Sequence, residues 1–134
     1  MNPDIQAKFE SYPKGARLQL ESVRQLILST AAEGELGDVE EVLKWGEASY
    51  LVKGGTTIRI DWKPKDPDVI KVFFHCQTCL IETFKEIYRN EFEYEGTRAI
   101  VLPLRVNIEQ VPLRHCIELA LKYHRLKRLP LLGV

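Results

Sequence analysis

The sequence predicts a two-layer α+β domain, an antiparallel β-sheet of about five strands with N-terminal and C-terminal helices packed on one face. Three observations carry that prediction. Apolar residues recur at helical spacing from about Lys14 to Ala32, and again from Pro112 to about Leu126. Between them the period shortens to two, most cleanly in Thr57-Ile58-Arg59-Ile60-Asp61-Trp62-Lys63. Ile58, Ile60 and Trp62 face one way there and the polar residues the other, as in an antiparallel sheet with one covered face.

The elements follow in order. Asn2-Pro3 reads as an N-cap with proline in the first turn, opening a short helix with Ile5 and Phe9 inward. Tyr12-Pro13 interrupts it. The next helix turns Leu20, Val23, Ile27 and Ala31 to the core and Arg17, Glu21 and Arg24 to water. Glycines stop it in the acidic run Glu33 to Glu41. Ala48, Tyr50 and Val52 alternate with Ser49 and Lys53, and Lys53-Gly54-Gly55-Thr56 supplies a hairpin turn. After Thr57–Lys63, the turn Pro64–Asp68 leads into a strand from Val69 to Phe74. A third helix is expected from about Thr78 to Arg89, a strand from Arg98 to Leu102, and the last helix from Pro112.

With 134 residues the chain reads as one domain with a sizeable core. Lys plus Arg (19) equals Asp plus Glu (19), so no global field draws it to nucleic acid or to an anionic membrane. No apolar run reaches the length of a membrane span, and the N-terminus has no apolar signal core. Three cysteines, an odd count, then read as reduced thiols in the cytoplasm.

Chemistry is densest at His75-Cys76-Gln77-Thr78-Cys79, where a strand breaks into a helix. A thiol at a helix N-terminus tends toward thiolate. Cys76 as nucleophile and Cys79 as resolving thiol would make a thiol–disulfide site; the plainer reading is two small residues in a first turn. His75 and Cys76 echo His115 and Cys116, and a site of Cys76, Cys79 and one or two of the others would suit zinc, although neither a second Cys-x-x-Cys pair nor a His-x₃₋₅-His accompanies it. Glu33, Glu35, Asp38, Glu40 and Glu41 are a candidate weak carboxylate site for iron, or else a solvated loop. Trp45, Tyr50, Trp62 and Phe74 are candidate walls of an apolar ligand pocket between sheet and helices, or plain core. His124 reads as a histidine favouring its helix C-terminus.

The segments Glu40-Glu41-Val42-Leu43-Lys44-Trp45-Gly46, the strand around Tyr50, Thr57–Lys63 and Gly96-Thr97-Arg98-Ala99-Ile100 together resemble the YdhG-like family of bacterial domains. The resemblance runs from about Arg17 to Arg125 and includes the C-terminal helix. It implies a compact α+β fold with an antiparallel sheet. Some members are described as frataxin-like iron chaperones, so the resemblance also implies surface carboxylates as an iron site. The leading expectation is a non-enzymatic cytoplasmic binding domain for a small ligand or a metal ion. Alternatives are the thiol–disulfide protein and a module that docks a protein partner on the open sheet face through Arg59, Asp61 and Lys71. Neither a membrane nor a nucleic acid is an expected partner.

Overall fold

The computed structural model describes residues 1–134. Asn2 caps α1 (Pro3–Glu10), its side chain accepting from the Ile5 N–H at 2.8 Å, and Pro13 opens α2 (Lys14–Glu33). Four strands follow, β1 (Glu40–Lys44), β2 (Glu47–Leu51), β3 (Ile58–Asp61) and β4 (Val69–Phe74). Then come α3 (Leu80–Ile87), β5 (Glu93–Glu95), β6 (Ala99–Pro103), α4 (Leu113–Leu121) and the short α5 (Tyr123–Leu126).

All six strands join one antiparallel sheet in the order β1-β2-β3-β4-β6-β5. The α+β class and the antiparallel sheet are as the patterning predicts, and six strands is close to the expected five. The edge strands β1 and β5 are the ones alternation shows least. Each is short, charged and largely exposed, which is how edges avoid pairing with other chains.

Register sorts the side chains into two layers. Ala48, Ile60, Val72, Ile100 and Tyr94 stand in one row across five strands. All five belong to or pack against one core with Ile5 and Phe9 of α1, Leu20 and Ile27 of α2, Phe84 of α3 and Ile117 of α4. The adjacent row, Ser49, Arg59, Phe73, Ala99 and Glu95, points to the opposite face. Phe73 and Ala99 are buried yet stand outside that core, so the uncovered face has its own small apolar patch.

Two helices depart from their predicted spans. α3 starts at Leu80 rather than Thr78, because residues 76–78 form a turn in which the Thr78 N–H and hydroxyl both donate to the His75 carbonyl. The C-terminal helix breaks at Lys122. There the β2–β3 turn lies against its end: the Thr56 N–H donates to the Ala120 carbonyl and the His124 N–H to the Gly54 carbonyl, each at 3.0 Å. Those bonds satisfy polar groups that a continuous helix would bond within itself.

Candidate functional site

The β1–β2 hairpin closes on a two-residue turn, Trp45-Gly46, with φ of 55° and 78°. Paired positive φ values mark a type I′ turn, whose first central position favours Asn, Asp or Gly over a bulky residue. The left-handed conformation costs a tryptophan about 1–2 kcal/mol. Burial does not offset it, because Trp45 is 89% exposed. Strain and exposure together at one large aromatic make this turn a place to look for function.

Behind the turn, on the uncovered face, lies a groove of about 270 Å³ lined by Lys44, Trp45, Thr57, Arg59, Phe73, Phe74 and His75. Two fixed cations, a histidine and aromatic surface meet there, and no carboxylate lines it. His75 Nδ1 accepts from the Gln77 N–H at 3.1 Å, which leaves Nε2 to carry the proton of the neutral ring. Strand geometry assembles the groove: Lys44 comes from the edge hairpin, Arg59 from β3, Phe73 from β4 and His75 from just beyond it.

Next to the groove is a knot of buried charge. Arg59 Nε lies 3.6 Å from Glu47 Oε1, and Lys63 Nζ lies 3.8 Å from Glu47 Oε2 and 2.7 Å from Asp61 Oδ2. Tyr12 donates its hydroxyl to Asp61 Oδ1. Lys63 meets Asp61 Oδ2 outside hydrogen-bonding geometry, and neither that oxygen nor Glu47 Oε1 accepts a hydrogen bond. Burial pushes the Glu47 carboxyl above its ordinary range; Arg59 pulls it back and Asp61 adds to the rise. Burial likewise raises the Tyr12 hydroxyl, reinforced by its bond to Asp61.

The four aromatics expected to wall an inner pocket do not share one. Tyr50 is fully buried in the core, with its hydroxyl beside Glu41 and Arg24. Trp62 is half-buried at the end of β3 and donates Nε1–H to the Pro67 carbonyl at 3.0 Å. Phe74 packs edge-to-face on Phe84 in the core and shows only part of itself to the groove. Trp45 stands in solvent on the other side of the sheet. Alternation places a residue on a face, and Trp45 sits in the turn, where alternation ends.

The five carboxylates expected to hold iron are dispersed. Glu41 is bound by Arg24 through two hydrogen bonds, at 2.5 and 3.1 Å, and Glu33 pairs with Arg114 at 2.8 Å. Glu35, Asp38 and Glu40 are exposed. Nowhere do three His, Cys, Asp or Glu residues gather in a way that could hold a metal ion. The zinc set is divided as well. Cys76 and His75 are exposed, Cys79 is the half-buried N-cap of α3, and Cys116 is fully buried, its thiol pushed well up by burial. His115 bonds the Tyr88 hydroxyl through Nδ1.

Glu41 carries a pH prediction. Burial alone would raise its carboxyl, but the Arg24 bonds and the Tyr50 hydroxyl hold it below its ordinary value of 4.5. A depressed folded pKa contributes stability above the unfolded value, lost as pH falls through the folded one. Urea midpoints should therefore drop on acidification below about pH 4.5, and drop less in Arg24→Gln. Equal acid slopes in the two proteins would show that this pair is not responsible.

Of the groove and its neighbours, the sequence points to Arg59 on the open face, to Trp45 and Phe74 as candidate walls and to His75 beside the thiols, but not to Lys44, Phe73 or Glu47. One signal was available for Phe73: Val69 to Phe74 ends on two adjacent aromatics, so one must occupy the otherwise polar face. No helix is long and apolar enough to cross a membrane. Searches against protein families, curated proteins and solved structures find no match to the chain.

Proposed function

We propose that the chain is a non-enzymatic binding domain whose uncovered sheet face takes a small anionic ligand bearing a flat apolar ring. One observation carries the reading: Trp45, Lys44, Arg59, Phe73 and His75 share one groove that no carboxylate lines. The ring would lie on Trp45 and the Phe73 patch. The anion would meet Arg59, whose planar fork suits carboxylate, sulfonate and phosphate groups. The same reading keeps the chain with the YdhG-like domains as a proposal, because Lys44-Trp45-Gly46, one segment of that resemblance, forms the rim. Reduced thiols keep the cytoplasm as the proposed compartment. An iron-delivery role draws no support from the dispersed carboxylates.

The test is a fluorescence titration with 8-anilinonaphthalene-1-sulfonate, an aromatic anion, beside N-phenyl-1-naphthylamine, which lacks the sulfonate. The anion should bind more tightly than the neutral probe. Trp45→Ala and Arg59→Gln should each lower affinity about tenfold, equivalent to ~1.4 kcal/mol. The urea midpoint should stay within error in Trp45→Ala and fall in Arg59→Gln, which leaves Glu47 without its nearest cation. Equal affinity for both probes, or full affinity in Trp45→Ala, would dispose of the groove as the site.

A further inference from the structure

Glu47 is odd for a groove neighbour. Its side chain is only 13% exposed, Oε1 is buried and accepts no hydrogen bond, and its nearest cation is Arg59 of the groove itself, at 3.6 Å. The remaining charged groups around it do not replace that partner. Lys63 is 3.8 Å away and sits closer to Asp61. Lys44 faces Glu47 across the β1–β2 hairpin and lines the groove too, so a bound anion claims it as well. Lys8 of α1 acts only through space, and Lys71 of β4 is held by Asp66 and Glu95. Asp61, with its Tyr12 bond, adds negative charge next to Glu47.

Building on the groove reading above, we infer that Glu47 is an internal competitor for Arg59, and that anion binding exchanges it for the ligand with uptake of a proton by Glu47. The sequence of events is simple. In the empty groove Arg59 compensates Glu47. A ligand anion neutralises Arg59 and Lys44, and Glu47 is left buried beside Asp61 with its attraction to cations diminished. A buried carboxylate without its cation resolves that by binding a proton from solvent. The groove therefore prefers its ligand at mildly acidic pH, and Glu47 is a determinant of how tightly any anion is held. His75 lines the groove beside Arg59, and the experiment must separate it from Glu47.

The experiment is isothermal titration of the same naphthalene sulfonate into wild type, Glu47→Gln and His75→Gln. Each titration is run between about pH 5 and 7.5 in buffers of different ionisation enthalpy. The sulfonate stays ionised throughout, so every proton exchanged belongs to the protein. Wild type should take up between zero and one proton per ligand, with affinity falling about threefold or more from the acidic to the neutral end. His75→Gln should keep that uptake. Glu47→Gln should lose it and bind more tightly than wild type at neutral pH. Uptake that vanishes in His75→Gln, or persists in Glu47→Gln, overturns the inference, as does binding with no proton exchange. If the sulfonate fails to bind wild type at any pH, the groove reading falls and takes this inference with it.

Discussion

Replacing Gly55 by alanine is expected to destabilise the fold by about 3 kcal/mol, the upper part of the range for overpacking. The reason is close approach rather than backbone conformation. A Cβ at Gly55 would stand 2.6 Å from the Leu121 carbonyl oxygen, 2.9 Å from its Cα and 3.0 Å from its carbonyl carbon. These are backbone atoms at the end of α4 and cannot rotate aside. The β2–β3 turn would have to lift away, stretching the Thr56–Ala120 and His124–Gly54 hydrogen bonds that dock it. Gly54 makes the contrast. Its φ is 89° but a Cβ there meets only Arg125 Nε at 3.9 Å, so Gly54→Ala should cost about 1–2 kcal/mol of conformational strain. Urea denaturation of the two variants side by side is the check. A Gly55→Ala loss no larger than that of Gly54→Ala would mean the turn is not clamped on α4.

Phe84→Ala is expected to cost about 4 kcal/mol, typical of emptying a phenylalanine site. Phe84 is fully buried, and its ring meets Phe74 edge-to-face with centroids 5.1 Å apart. The loss should reach the groove as well. Phe74 ends β4 between the core and His75, so a cavity behind it loosens one wall of the proposed site. The anionic probe should bind more weakly at a temperature where the variant is still folded by circular dichroism. Phe84→Leu, which refills most of the volume, should recover most of both losses. Unchanged probe affinity in folded Phe84→Ala would separate the groove from the core behind it.

The clearest parts of the fold in the sequence were those where one physical rule acts alone. Thr57–Lys63 alternates because one face of β3 meets the core and the other does not. The α2 stripe from Leu20 to Ala31 repeats at helical spacing for the same reason, and Asn2-Pro3 caps a helix start through local hydrogen bonding. Where tertiary contacts compete, the pattern blurs. β1 hides in the acidic run because an edge strand needs little burial, and Arg24 takes up Glu41. The C-terminal helix breaks at Lys122 where the β2–β3 turn supplies bonds from outside.

The candidate site shows the same division. By itself the sequence determined the class of fold, the faces of its long strands and helices, and the identity of every side chain available for binding. Only the tertiary structure decided which of them meet. Side-chain alternation is a local property, whereas strand order and register bring Lys44 and Trp45 of an edge hairpin beside Arg59, Phe73 and His75, up to 31 positions along the chain. Register likewise sets Glu47 beside Asp61 with Arg59 as its nearest cation, a relation that no spacing in the chain encodes.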